Sequence, residues 1–306
     1  MTTFEGASTE YRFACTQCGQ CCNRAPEVEL SEAGRLADVF VFRLMFRLIW
    51  LPTPRRDRRE PGRDAAKVTA AFYEKKRLMN VLAASKYPTK VRLGGKLVEQ
   101  TKYLMISALA VDTRSHACSA LNGTLCSIHD RRPFSCRSVP FHYSRTEASA
   151  EAGLEEFVAT AGYGCDTSDA AKVVLRDGQI VDSDMSSARN DAIALADGDR
   201  RWREAIVRRM GAPSPTNYSC PSLKEIEVNA QFATTTTSMR IAWRIAADAA
   251  LMDRNECNRL TELQLRTIER ELAATECPLD SRVTLTEMRA EYQRDQSGGH
   301  ALAATS

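Results

Sequence analysis

The sequence lacks an uninterrupted apolar run long enough to cross a bilayer, which takes about 20 residues. Its longest such run, "VFVFRLMFRLIWL" from Val39 to Leu51, is shorter and is broken by Arg43 and Arg47. We therefore expect no transmembrane span and interpret the run as a buried or surface-seeking helix. The opening residues, "MTTFEGASTE", also lack the basic and apolar segments of a secretory signal. A cytoplasmic location, where thiols stay reduced, is the resulting expectation.

Other features that are weak or missing in the sequence argue against several classes of function. A net charge of +3 is too weak to indicate nucleic-acid binding, so no nucleic acid is expected as a partner. Only four histidines are present, and they leave little material for a Ser-His-Asp arrangement. The chain also has no glycine-rich loop of the nucleotide-binding type, because "RLGGKL" is typical of a hairpin turn.

Positive charge is nevertheless concentrated locally between residues 43 and 63. Seven arginines lie there against Asp57 and Glu60. The stretch is interpreted as a solvated loop with a few ion pairs, or as a docking patch for an acidic partner or an anionic lipid.

Cysteine, in contrast, is abundant, with eleven residues in a chain of 306. A chain of this length can bury a large core without disulfides, so the cysteines call for a chemical explanation first. Four of them lie in "FACTQCGQCC", as Cys15, Cys18, Cys21 and Cys22. The C-x2-C-x2-C spacing is typical of iron–sulfur ligands, and C-x2-C alone also occurs in zinc sites. The adjacent Cys22 is expected to serve a second metal, to bridge two metals or to stay free.

A second group of cysteines follows about a hundred residues later. Cys118, Cys126 and Cys136 lie in "HACSALNGTLCSIHDRRPFSCRSVPFHYS", and Cys165 lies in "GYGCD". Together the two groups supply eight thiols, which is enough for two four-thiolate sites holding zinc, iron–sulfur clusters or one of each.

Two arginines, Arg132 and Arg137, flank Cys136. Their guanidinium groups are candidates for binding the cofactor, because a four-thiolate cluster carries negative charge, and they could equally bind an anionic substrate. The alternative is that they donate hydrogen bonds to loop carbonyls or carboxylates.

These two motifs resemble those of the YkgJ-type cysteine-cluster family, described as zinc- or iron-chelating CxxCxxCC proteins. The family's first motif is C-x2-C-x2-C-C, and its second is C-x-I-x3-R-P-x2-C-R-x2-P-F. The second motif is matched by Cys126, Ile128, Arg132, Pro133, Cys136, Arg137, Pro140 and Phe141. The match spans residues 13–165, apart from a stretch between residues 50 and 105 that does not align.

The resemblance implies a metal-binding protein that holds an iron–sulfur cluster or zinc through its clustered cysteine thiolates. It extends to flagellin lysine N-methylase, a related group that carries an iron–sulfur cluster and uses S-adenosylmethionine. An enzyme that modifies a protein side chain is therefore one alternative, and a metal chaperone or sensor is another. The partner would be a protein substrate or a redox partner.

The expected fold class is α+β, with a cysteine-rich metal-binding domain at 1–184, an α-helical region at 185–290 and a disordered tail at 291–306. Helices are predicted at about 31–50, 63–84, 186–210, 222–252 and 255–275. Hairpin turns are predicted at Gly94-Gly95 and Asp177-Gly178. Three cysteines of the helical region, Cys220, Cys257 and Cys277, are interpreted as small buried apolar residues.

Overall fold

The computed structural model describes residues 9–52, 65–115, 117–212, 220–230 and 234–302. Helices and antiparallel sheets are both present, which confirms the predicted α+β class. The strands of the described residues are β1 (Glu10–Arg12), β2 (Glu27–Val28), β3 (Phe42–Pro52), β4 (Ser85–Leu93), β5 (Lys96–Ala110), β6 (Leu121–Asn122), β7 (Leu125–Cys126), β8 (Val173–Arg176), β9 (Gln179–Ile180) and β10 (Thr235–Ser238). The α-helices are α1 (Leu30–Arg35), α2 (Ala65–Leu82), α3 (Phe134–Arg137), α4 (Ala150–Val158), α5 (Ser183–Gly198), α6 (Arg200–Arg209), α7 (Leu223–Asn229), α8 (Met239–Asp248), α9 (Arg254–Ala273) and α10 (Leu279–Leu302).

The chain divides into two compact units, which differ from the predicted division at residue 184. Unit 1 is drawn from Met1–Cys21, Pro54–Asn80 and Leu121–Ala194. Unit 2 is drawn from Cys22–Thr53, Val81–Ala120 and Leu195–Ser306. Each unit is therefore built from three separate stretches of chain.

Unit 1 is organised around a three-stranded antiparallel sheet with the order β1-β8-β9. The turn between β8 and β9 is the predicted one, with Asp177 and Gly178 both at positive φ. Phe13, Phe141 and Leu154 pack with Val174 and Leu175 into a core between this sheet and α4. Phe13 of this core precedes Cys15 by two residues, and Cys165 packs against the same core.

Unit 2 contains a five-stranded antiparallel sheet in which β5 is the longest strand. On one side β5 pairs with β3, which in turn pairs with β10, and along its length it also pairs with β2 and β4. The β4–β5 hairpin turns at Gly94 and Gly95, both at positive φ, as predicted.

The segment from Val39 to Leu51 was predicted to be helical, but the structure shows a strand. It forms most of β3, an interior strand between β5 and β10. Residues on both faces of this strand are buried, including Leu44 and Met45, so the polar alternation of a half-exposed strand is missing. Of the two arginines that interrupt the apolar run, Arg47 pairs with Glu27 at 3.1 Å.

The helices predicted at 186–210 and 222–252 are also interrupted. The first divides into α5 and α6 at Gly198, a residue with poor helix propensity. The second consists of α7, strand β10 and α8, because the run of threonines at 235–237 forms a strand that pairs with β3. The predicted helices at 63–84 and 255–275 correspond to α2 and α9.

The tail at 291–306, predicted to be disordered, is helical throughout its described residues, 291–302. Helix α10 continues to Leu302, and residues 303–306 lie outside the described part of the chain. Within that described part, no helix combines the length and the apolar character that crossing a membrane requires.

Candidate metal centre

The first cysteine motif begins where strand β1 ends, and a backbone bridge ties it to the segment that carries Cys165. Ala14 and Asp166 form an antiparallel pair and exchange two backbone hydrogen bonds, of 2.8 and 3.0 Å. In an antiparallel arrangement, the residue after one partner faces the residue before the other partner. The bridge therefore sets Cys15 opposite Cys165, although 149 positions separate them in the sequence.

The loop beyond Cys15 folds back over the same segment. The Thr16 hydroxyl donates a 2.7 Å hydrogen bond to the carbonyl of Gly164. Gln17 has a left-handed backbone, with φ of 57°, and its N–H points back at the Cys15 Sγ at 3.4 Å. The Cys18 Sγ comes within 3.8 Å of the position that a β-carbon on Gly164 would take. The Cys18 side chain therefore lies beside the backbone of Gly164, the residue before Cys165.

The same loop also contacts the hairpin that carries Cys126. Gly19 has a φ of 73°, and a β-carbon there would lie 3.3 Å from the Thr124 carbonyl oxygen. Thr124 belongs to the tight turn between β6 and β7, and Cys126 is the last residue of β7. The positive φ strongly favours glycine at this position, and the close approach would force Thr124 to shift slightly if a side chain were added.

Backbone N–H groups favour the thiolate form of Cys18. The hydrogen bond from the N–H of Gln20, followed by that from Gly164, lowers the pKa of Cys18 below its ordinary value. This local geometry therefore favours the thiolate, which is the form of cysteine that binds metals.

The pKa of Cys165 is shifted in the opposite direction, and the causes of this shift show which thiols lie near Cys165. Burial against the core of unit 1 is the main reason that the pKa of Cys165 is raised to about 11. Repulsion from the thiolates of Cys21, Cys18 and Cys15 raises it further. Cys165 therefore lies within electrostatic range of the other three thiols, and a bound cation would relieve this repulsion.

The second motif of unit 1 supplies Cys136 and the two candidate arginines. Cys136 is half-buried in the short helix α3. The Arg132 Nε donates to the His129 carbonyl at 3.0 Å, so this side chain stabilises its own loop. Arg137 is exposed, with its guanidinium carbon 5.7 Å from the centre of the Phe134 ring. Cofactor binding by the two arginines stays a prediction.

The remaining two cysteines of the predicted set, Cys22 and Cys118, belong to unit 2. The Cys118 N–H donates a 2.8 Å hydrogen bond to the Cys22 carbonyl, so the two residues are backbone neighbours, and both are half-buried. Six of the eight predicted ligands therefore lie in unit 1 and two lie in unit 2.

In their present conformations, the described side chains do not form a complete set of metal ligands. Across the described ranges, no group of three or more histidine, cysteine or acidic side chains is arranged so that it could hold a metal ion. The structure thus places Cys15 opposite Cys165 and folds the loop of Cys18 and Cys21 over the same segment, but the sulfur atoms are not yet converged.

Residues outside the motifs have simpler roles. Cys220, Cys257 and Cys277 are buried, as predicted, and burial raises the pKa of Cys220 to about 11. Most of the arginine-rich stretch at 43–63 lies outside the described residues. Sequence reasoning missed the contribution of Gly19, although a glycine directly after Cys18 was available as a signal.

In comparisons with known proteins, no family model, no curated protein and no solved structure matches this chain.

Proposed function

We propose that this chain is a metal-binding protein that holds an iron–sulfur cluster or a zinc ion through the thiolates of Cys15, Cys18, Cys21 and Cys165. The observation that carries the proposal is the bridge between Ala14 and Asp166, which sets Cys15 opposite Cys165. The loop between Cys15 and Cys21 then folds over Gly164 and brings Cys18 to the same side.

The donor set fits such a group. Four thiolates are a common ligand set for structural zinc and for iron–sulfur clusters. Amide groups directed at sulfur, such as the Gln17 N–H toward Cys15, stabilise negative charge on the ligands. Because the thiols are not converged, binding requires their side chains to rotate toward a common point. When bound, zinc would cross-link the loop to the core of unit 1, whereas a cluster would supply a one-electron redox centre.

The sequence patterns support the same proposal. The C-x2-C-x2-C spacing favours an iron–sulfur cluster over zinc, and the resemblance to the YkgJ-type family agrees with metal binding in general. In this proposal Cys126 and Cys136 are further ligands within unit 1. Cys22 and Cys118 are candidate ligands for a second metal.

The direct test is elemental analysis, with a visible spectrum, of the full-length protein purified without oxygen. We expect at least one equivalent of metal for each chain. Iron with acid-labile sulfide and a brown colour would identify a cluster, whereas colourless protein with zinc would identify a zinc site. A chain that is folded by circular dichroism but holds less than about a tenth of an equivalent of either metal would overturn the proposal, because a four-thiolate site retains its metal tightly.

A further inference from the structure

One side of the hairpin formed by β4 and β5 carries a row of exposed cations that the metal proposal does not use. Along β4, exposed and half-buried residues alternate, and Lys86, Lys90 and Arg92 all belong to the exposed set. Since alternate side chains of a strand point to the same face, the three cations lie on one side of the hairpin. Strand β4 itself contains no acidic residue.

The pairing register identifies the residues of β5 that share this side. Arg92 pairs with Leu97, and Lys90 pairs with Glu99. Directly paired residues of antiparallel strands project to the same face of the sheet. The resulting surface, called the basic face here, consists of Lys86, Pro88, Lys90, Arg92, Leu97 and Glu99. Three cations against one carboxylate give it an excess of positive charge.

The hairpin neutralises this charge only weakly. The Lys90 Nζ lies 4.0 Å from a carboxylate oxygen of Glu99, and the two side chains are 65% and 80% exposed. An exposed pair of this kind is screened by solvent and contributes little. The opposite side of the hairpin is different, because Lys102 there forms a 2.7 Å ion pair with Glu227 of helix α7. The excess of positive charge is therefore a property of the basic face.

The composition of the basic face indicates the kind of partner that it suits. None of its six residues is aromatic, so it lacks the stacking surface with which proteins hold single-stranded nucleic acid. Its one large apolar side chain is Leu97, which is 65% exposed. Binding to a membrane surface normally requires a broader apolar face than this. An acidic protein segment fits better, since its carboxylates complement the cations and one apolar side chain can cover Leu97.

The linear arrangement of the cations favours a partner in an extended conformation. Lys90 and Arg92 are two residues apart on β4, and Lys86 is four residues from Lys90. At about 3.3 Å for each residue, these separations are roughly 7 Å and 13 Å. An extended partner has the same repeat, so acidic residues at alternate positions can face the three cations.

We propose that the basic face binds an extended acidic segment of a partner protein, with carboxylates opposite its three cations and an apolar side chain against Leu97. Among the described strands, β4 pairs with β5 alone and is an edge strand. Lysine and proline on an edge strand oppose further strand pairing, and Pro88 has no N–H to donate. The partner is therefore held by side chains and not by a backbone ladder. The proposal is independent of the metal site.

The test is fluorescence anisotropy of a labelled peptide that alternates glutamate and threonine around one central leucine, titrated with the full-length protein. The control peptide has glutamine in place of every glutamate. The test variant combines Lys90→Gln with Arg92→Gln. The matched control combines Arg254→Gln with Arg259→Gln, which also removes two exposed cations of unit 2, each close to a carboxylate. A single-stranded oligonucleotide and vesicles of phosphatidylserine and phosphatidylcholine are the competing ligands.

We expect saturable binding of the acidic peptide that weakens by about fivefold in the hairpin variant, as for the loss of two exposed charge pairs. Binding should be unchanged in the helix variant and should weaken as salt is added. The proposal is overturned if the acidic peptide shows no saturable binding, if both variants lose affinity equally, or if the glutamine peptide binds as tightly. Tighter binding of the oligonucleotide or the vesicles than of the acidic peptide would also overturn it.

Discussion

Cys18→Ser is expected to lower the affinity of the protein for its metal by at least about 100-fold. Even residues that only orient metal ligands contribute roughly 10–100-fold to affinity, and Cys18 is proposed as a ligand itself. Its thiolate is stabilised by backbone N–H groups, so serine, whose hydroxyl stays protonated, cannot replace it. The variant should also unfold at a lower temperature than the wild type, because coordination free energy contributes to folding free energy.

The matched control for this variant is Cys257→Ser. Cys257 is buried in helix α9 of unit 2, remote in sequence from the motif, and burial raises its pKa. Serine at this position removes a thiol of similar size without touching a proposed ligand. Metal content per folded chain, measured by elemental analysis, should stay at the wild-type value. Equal loss of metal from both variants would show that the assignment of ligands is wrong.

Gln264→Leu is expected to destabilise unit 2 by about 3 kcal/mol. Gln264 is fully buried in helix α9, and its amide joins two backbone groups that precede and begin strand β3. Its Oε1 accepts a 2.8 Å hydrogen bond from the Phe42 N–H, and its Nε2 donates one of 2.8 Å to the Phe40 carbonyl. Leucine would leave both backbone groups buried without this partner, at about 1–3 kcal/mol for each.

Tryptophan fluorescence can measure this effect in unit 2 alone. All three tryptophans of the chain, Trp50, Trp202 and Trp243, belong to that unit. Denaturant unfolding should therefore give a lower midpoint for the variant. Glu262→Leu, at an exposed position of the same helix, is the control and should change the free energy of unfolding by less than about 0.5 kcal/mol. Equal midpoints for Gln264→Leu and the wild type would contradict the role given to the buried amide.

The two hairpins could be predicted because their turns depend on local chemistry. Gly94-Gly95 and Asp177-Gly178 adopt the positive φ angles that a tight turn requires. Strand β3 could not, since residues on both of its faces are buried, which removes the alternation on which strand prediction relies. The short threonine strand β10 became evident only through its pairing with β3.

For the site, the spacing and the resemblance indicated which cysteines are candidate ligands. They did not indicate how the chain brings those cysteines together. The opposition of Cys15 and Cys165 depends on a backbone bridge between distant segments. The assignment of Cys22 to a different unit from its neighbour Cys21 depends on the whole tertiary structure. The boundary between the two units falls between these two adjacent residues, and no periodicity in the sequence indicates it.

We propose that Cys15, Cys18, Cys21 and Cys165 bind one metal centre together. Residue-resolved alkylation, read by mass spectrometry, tests it on full-length protein isolated without oxygen, before and after removal of the metal with a chelator. We expect all four thiols to be protected at first and to become reactive together once the metal is removed. In the metal-free protein, Cys18 should then react faster than Cys165, because their pKa values are shifted in opposite directions. Labelling of these four cysteines that is the same before and after metal removal would contradict the claim.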